Sequence, residues 1–170
     1  MGLSLTGRGG AELARLALRI GVGGTMIAHG VKHARTLKGT AKWFESIGFR
    51  EPDMQARASA AVEIGGGAAL AAGFLTPLGA SSVIGTMAVA ARTVHWENGF
   101  FITKDGYEYV GVMAVAATAV AALGAGKVSA DKALGVPGTS GGAGLGLAAL
   151  GLGLLGAAAQ VRAFWKPNRP

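Results

Sequence analysis

The stretch ARASAAVEIGGGAALAAGFL, residues 56–75, decides how this chain folds. It consists almost entirely of apolar and small residues, and a helix of this length, rising about 1.5 Å per residue, reaches about 30 Å, the thickness of a bilayer's hydrocarbon core. Its glycines disfavour a helix in water, but in lipid the backbone must satisfy its own hydrogen bonds and becomes helical. The stretch is therefore predicted to be a membrane-spanning helix that carries one carboxylate, Glu63, into the apolar region.

Four further segments have a similar length and composition, so the sequence predicts five membrane spans. A chain of 170 residues with this pattern is expected to form one all-α integral membrane domain, residues 1–170. A short interfacial helix is predicted over residues 39–48, and an aromatic cluster at the membrane surface over residues 95–106. The five predicted spans are residues 11–33, 56–75, 78–94, 107–125 and 141–163.

Small residues are predicted to let these helices approach one another closely. Two examples are the pair Gly142-x-x-x-Gly146 and the helix face that carries Gly65 and Gly73. Residues 151–156 also match the dinucleotide-binding pattern G-x-G-x-x-G, but no strand precedes them and they lie inside a predicted span. These glycines are therefore interpreted as small residues that allow helices to pack closely.

The chain has no cysteine and a formal net charge of +7. Without cysteine it can form no disulfide, thiolate metal site or dithiol relay of its own, so any redox role requires a bound cofactor. Its Lys and Arg residues cluster between the apolar segments rather than in one stripe. This distribution favours contact with anionic lipid head groups and argues against a nucleic-acid partner.

The basic residues also predict the orientation of the chain in the membrane. With five spans, one face carries four of them, Arg8, Arg15, Lys127 and Lys132, and the other carries eleven. Because cytoplasmic loops are enriched in Lys and Arg, the second face and the C-terminus are predicted to be cytoplasmic. The eleven are Lys32, Arg35, Lys38, Lys42, Arg50, Arg57, Arg92, Lys104, Arg162, Lys166 and Arg169.

The titratable residues within or beside the apolar segments form the candidate binding site. Charge is costly in lipid, so such residues often mark a functional site. Following the five spans up and down places them near the same, cytoplasmic face. They are His29, Lys32, Glu63, His95 and Glu108.

Several of these residues also have a structural interpretation. Glu63 would form an ion pair with Arg19, Lys32 or Arg92, and Glu108 would stabilise the positive end of the fourth helix. His95 would be an interfacial anchor, as would His33, which lies one turn beyond His29.

The order of several short motifs resembles the DoxX family. The resemblance extends from about residue 15 to residue 131. The motifs are His29-Gly30-x-Lys32, Gly48 followed by Pro52, Glu63-x-Gly65-Gly66, Gly73-x-x-Thr76-Pro77, Asn98-Gly99-Phe100, Gly106-Tyr107-Glu108-Tyr109 and Gly124-x-Gly126-x-x-Ser129-x-Asp131.

This resemblance implies a small, multi-pass protein of the bacterial plasma membrane with a four-helix core, about residues 11–131. Relatives include the small subunit of thiosulfate:quinone oxidoreductase, and others are linked to oxidative stress. The family has no well-defined catalytic residues, so only the positions His29, Lys32, Glu63 and Glu108 carry over. The fifth Gly/Ala-rich helix, about residues 141–163, departs from the family pattern.

Two functions follow as expectations. The leading one is an accessory subunit of a membrane oxidoreductase assembly, not catalytic alone, that binds menaquinone or ubiquinone in a polar pocket near the cytoplasmic face. Histidine or lysine would donate to a quinone carbonyl, and a carboxylate such as Glu63 would carry a proton. The alternative is a non-enzymatic membrane anchor within a larger complex. A metal site built from His29, His33, Glu63 and His95 is a third hypothesis. Because these residues are widely spaced in the sequence, the leading expectation is that the protein binds neither metal nor haem.

Overall fold

The computed structural model describes residues 7–136 and 140–167, and this part of the chain consists of helices and their connections, with no strand. Long helices run up and down the molecule, so their ends meet at two opposite ends of a bundle. The helices are α1 (Gly7–Arg35), α2 (Leu37–Ser46), α3 (Pro52–Ala72), α4 (Thr76–Ala90), α5 (Glu108–Leu123), α6 (Ala130–Ala133) and α7 (Ala143–Phe164).

The segments predicted as spans are all helical, and α2 confirms the short helix predicted between the first two. Among the described helices, α7 is the one that is both long and apolar enough to cross a bilayer, while α5 is apolar but shorter. The fold is thus all-α, and the four-plus-one arrangement in a membrane stays a prediction.

The close packing of α1 against α3 depends on glycine. A Cβ atom built on Gly23 would lie 2.5 Å from the carbonyl oxygen of Gly67, and one built on Gly67 would lie 2.7 Å from the carbonyl oxygen of Gly23. About two turns further along α1, a Cβ atom on Gly30 would lie 2.9 Å from Cβ of Glu63. These backbones therefore touch directly, in the manner of small-residue contacts between membrane helices.

Only part of the predicted small-residue packing is found. Gly146 packs against Ala122 of α5, and Gly73 lies against Arg19. Gly142 and Gly65, by contrast, have open space where a Cβ atom would be, so the prediction was wrong for these two residues.

The additional helix α7 is an integral part of the bundle. A Cβ atom on Gly153 would lie 2.7 Å from the Ile84 side chain of α4, whereas Gly151 and Gly156 face open space. The G-x-G-x-x-G pattern thus has one glycine for helix packing and two on an open face. At its C-terminal end, α7 is tied to the turn between α2 and α3 by an isolated antiparallel bridge between Phe49 and Trp165.

A buried arginine holds the end of the bundle where α3 meets α4. Arg19 is only 2% exposed, and its guanidinium donates to four backbone carbonyl oxygens. These carbonyls lie near the C-terminal ends of α3 and α5 and in the loop before α6, where a helix leaves its carbonyls unpaired. The four acceptors are Leu70, Ala71, Ala125 and Val128.

A buried carboxylate, Asp131, completes this end. It accepts hydrogen bonds from the backbone N–H of Leu75 at 2.7 Å and from the backbone N–H and hydroxyl of Thr76 at 3.2 Å and 3.1 Å. These N–H groups belong to the first turn of α4, which has no other partner for them. Arg19 and Asp131 thus account for the Gly73-x-x-Thr76 and Ser129-x-Asp131 motifs as structural elements.

Candidate functional site

Glu63 is buried at the opposite end of the bundle, with 3% of its surface exposed. The Ser59 hydroxyl donates to its Oε1 atom, and Nδ1 of His33 lies 3.2 Å from the same oxygen. Its other oxygen, Oε2, is buried and has no hydrogen-bond partner among the described residues. An unsatisfied buried carboxylate oxygen is costly to the stability of the fold.

Helix geometry brings these three side chains together. Ser59 and Glu63 are four residues apart on α3 and therefore lie on the same face of the helix. His33 is in the last turn of α1, and the tight contact at Gly30 holds α1 close enough to α3 for the imidazole to reach the carboxylate. The glycine contacts between the helices thus set the distance between His33 and Glu63.

A cavity of about 450 Å³ lies beside Glu63, between α2, α3, α4 and α7. His33, Ser59 and Glu63 line one part of it, and Gln160 of α7, which donates to Gln55 of α3 at 2.8 Å, lines another. The other walls are mostly apolar, and they include Trp43, Met54, Val62, Val89, Val94 and Phe164. A largely apolar pocket with a few convergent polar groups is typical of a small-molecule site.

The helical turn that follows α4 has a π-helical form, Ala91–His95, and continues the cavity wall. Thr93 and Val94 of this turn line the cavity. The turn widens the helix locally, and such insertions are frequent at functional sites. The π-helical turn is thus part of the wall of the cavity.

Of the five predicted site residues, Glu63 is the one that lines the cavity. His29 is exposed, and its ring stacks on Tyr109 with a centroid separation of 6.2 Å. Lys32 is exposed and makes no hydrogen bond or ion pair through its side chain with any described residue. None of the ion pairs considered for Glu63, with Arg19, Lys32 or Arg92, is present among the described residues.

His95 and Glu108 organise the segment between α4 and α5 instead. Nδ1 of His95 lies 2.6 Å from the carbonyl oxygen of Asp105, and the Glu108 carboxylate accepts from the backbone N–H of Ile102 at 3.0 Å. Both residues are at the same end of the bundle as Glu63, as the up-and-down topology predicted. Their contacts are with the loop rather than with the cavity.

Four residues that line the cavity were not among the five predicted binding residues: His33, Gln55, Ser59 and Gln160. Ser59 is one helical turn before Glu63, and that spacing could have identified it. His33 was interpreted as a solvated interfacial residue because nothing in the sequence shows how far α1 extends beyond its apolar part. Gln55 and Gln160 are 105 residues apart, and only the packing of α7 on α3 and α4 brings them together.

The described residues contain no group of three or more His, Asp or Glu side chains arranged to hold a metal ion. His33 and Glu63 contact each other, but His29 and His95 have other partners. The hypothesis of a metal site made from these four residues therefore receives no support from this part of the chain.

The described residues thus form an all-helical protein. It has a mostly apolar cavity with a few polar groups at one end of the bundle, and one of its described helices is suited to crossing a bilayer. The DoxX family model matches residues 14–96, just under half of the chain, and this match agrees with the resemblance seen in the sequence. The matched range includes His33, Ser59 and Glu63. Neither a curated protein nor a solved structure matches the chain. The family and the apolar α7 together indicate a membrane protein.

Proposed function

We propose that this protein is a multi-pass membrane subunit of an oxidoreductase assembly and that its Glu63 cavity binds the head group of a quinone. The observation that carries the proposal is the buried Glu63, with one oxygen held by His33 and Ser59 and the other without a partner, beside an apolar cavity. The match to the DoxX family model supports a membrane location.

The outer surface of the bundle supports the proposed arrangement of five spans. Large aliphatic side chains point outward from α1, α5 and α7, where water would penalise so many of them and lipid would not. In this arrangement α1, α3, α4 with its π-helical turn, α5 and α7 cross the bacterial plasma membrane. The distribution of Lys and Arg then supports a cytoplasmic position for the cavity end and the C-terminus. The outward side chains include Leu13, Ile20, Val112, Val115, Leu147 and Leu155.

The residues present fit a quinone. Its flat ring suits apolar and aromatic walls, and its two carbonyl oxygens require hydrogen-bond donors, which His33 and Gln160 carry. When bound, a quinone supplies chemistry that couples electron transfer to proton uptake and release. The cavity walls at Trp43, Met54 and Phe164 would hold the ring and keep water from it.

The pairing of His33 with Glu63 gives the site a proton carrier. A carboxylate beside Nδ1 favours the tautomer with the proton on Nδ1, so that Nε2 remains for a ligand. In the imidazolium form Nε2 donates to a carbonyl, and in the neutral form it accepts from a hydroxyl group. His33 can therefore give up or take one proton while Glu63 keeps the ring in place.

We expect decylubiquinone to quench the fluorescence of Trp43, which lines the cavity, when it is titrated into the detergent-solubilised protein. Replacing His33 by leucine should weaken this binding about tenfold, the effect of losing one hydrogen bond of about 1.4 kcal/mol. The matched control is His29→Leu on the same helix, which alters an exposed ring outside the cavity and should leave the affinity unchanged. Equal affinities for the two variants, or no quenching that depends on Trp43, would contradict the proposal.

A second candidate function is that of a non-enzymatic anchor for a larger complex. It is favoured by the segment between α4 and α5, which exposes a cluster of large apolar side chains at one end of the bundle, with Trp96 62% and Phe101 63% exposed. Such a cluster is typical of a surface that contacts a partner protein or the membrane interface. Phe100 and Ile102 belong to the same cluster.

If the anchor function is correct, Phe101→Ser should abolish co-purification of an oxidoreductase subunit from native membranes in mild detergent. His33→Leu should leave that co-purification intact. Leu134→Ser, at an equally exposed leucine elsewhere in the chain, serves as the control. Retention of the subunit by the Phe101 variant would exclude this segment as the anchoring surface.

A further inference from the structure

An apolar groove of about 680 Å³ lies between α4, α5 and α7, separate from the Glu63 cavity. Met87, Ala91, Val110, Gly111 and Leu154 are among the residues that line it. A smaller hollow of about 170 Å³ lies next to it and is lined by more polar residues. The groove and the hollow share three residues at their junction, Arg92, Trp96 and Glu97.

An apolar groove joined to a more polar hollow suits a phospholipid. The groove suits an acyl chain, and the hollow suits a head group. The shared tryptophan is an amphipathic side chain of the kind that lies at the level of lipid head groups. Trp96 is held there by stacking on Tyr107, with a centroid separation of 5.3 Å.

Arg92 has donors available for a phosphate. Its guanidinium lies over the ring of Trp165, 4.8 Å from the centroid, so one face of the planar group is occupied. Its side chain makes no hydrogen bond or ion pair with any described residue, so the N–H groups at its edge are free. A guanidinium edge is the protein group that best matches the geometry of phosphate oxygens.

Glu97 places a negative charge at the same junction. Its exposed carboxylate also makes no hydrogen bond or ion pair with any described residue. A purely anionic head group would satisfy Arg92 and be repelled by Glu97. A head group that carries a phosphate and an ammonium group satisfies both charges.

We propose that the groove and hollow bind one phospholipid with a phosphoethanolamine head group. The phosphate binds Arg92, the ammonium group binds Glu97, and an acyl chain occupies the groove. The inference rests on the proposed membrane location but not on quinone binding, because Glu63 and His33 line neither the groove nor the hollow.

Filling the groove tests the position of the acyl chain. Gly111 of α5 is exposed to the groove, and a Cβ atom on it would meet nothing within 4 Å, so Gly111→Leu should fold normally. Native mass spectrometry of the full chain in detergent with phosphatidylethanolamine should then show the bound-lipid fraction reduced about tenfold, because the leucine occupies the space of the chain. Gly21→Leu, also in open space but on α1, is the control. Unchanged lipid retention by the Gly111 variant would overturn the proposal.

The head-group assignment is tested with phosphatidylethanolamine, phosphatidylglycerol and phosphatidylcholine of the same acyl chains. The wild-type protein should retain phosphatidylethanolamine most strongly. Arg92→Gln should weaken retention of all three lipids, and Glu97→Gln should remove the preference for phosphatidylethanolamine over phosphatidylglycerol, each by about tenfold, as expected for one charge-assisted hydrogen bond. Arg57→Gln and Glu45→Gln, at exposed positions that line neither the groove nor the hollow, are the controls.

Because both junction residues are exposed, their variants should fold even if the glycine variant does not. A wild-type preference for phosphatidylglycerol, or equal effects of the control substitutions, would overturn the assignment of the head group. Loss of lipid retention by these variants with intact decylubiquinone binding would separate this site from the Glu63 cavity.

Discussion

Arg19→Met is expected to destabilise the protein by about 3–5 kcal/mol, the usual cost of removing one partner from a buried charge network. Methionine can fill the space of the arginine stem, but it removes the side-chain hydrogen bonds to four backbone carbonyl oxygens and leaves Asp131 without a nearby positive charge. The loss should appear as a large decrease in the thermal unfolding midpoint of the detergent-solubilised protein.

The control for this prediction is Arg35→Met at the exposed end of the same helix. It removes the same charge without changing any described hydrogen bond, so its midpoint should stay within about 1–2 °C of the wild type, as surface substitutions usually do. Similar midpoints for the two variants would show that Arg19 does not hold the ends of α3 and α5.

Gly67→Val is expected to separate α1 from α3. A Cβ atom at this position would lie 2.7 Å from the backbone oxygen of Gly23 and 2.9 Å from Cβ of Met26, and neither neighbour is the flexible end of a side chain. Overpacking of this kind costs about 1–3 kcal/mol or more. Because the same contact sets the separation of His33 and Glu63, decylubiquinone binding should be lost together with stability.

Gly65→Val is the matched control, two residues away on the same helix and with open space around its Cβ position. Both substitutions introduce the same β-branched residue into a helix, so their intrinsic helix costs cancel. Thermal unfolding and the Trp43 quenching titration should distinguish the two variants clearly. If Gly67→Val unfolds and binds quinone as Gly65→Val does, the contact between α1 and α3 is not what positions the site.

Much of the fold could be predicted from the sequence because it depends on local patterns. Apolar segments of sufficient length, separated by short polar connections, are enough to predict helices and their up-and-down order. That order alone was enough to predict at which end of the bundle Glu63 lies. Glu63 itself was identified because a carboxylate within an apolar segment is unusual whatever its neighbours in the fold are.

The partners of Glu63 could not be predicted in the same way. His29 and His33 lie on the same face of α1, and the sequence favoured the deeper one as a site residue. Which histidine contacts Glu63 depends on how closely α1 approaches α3 and on which residues of the two helices face each other. The contacts at Gly23, Gly30 and Gly67 determine both.

The sequence by itself therefore determined the helical class, the order of the helices and the presence of a buried carboxylate, because each follows from the polarity of successive residues. The tertiary structure decided that His33 rather than His29 contacts Glu63, that Arg19 binds backbone carbonyls rather than a carboxylate in the site, and that α7 closes the cavity with Gln160. The physical reason is that such contacts depend on the distances at which particular helices pack against one another. These distances are set by residues far apart in the chain and leave no local pattern in it.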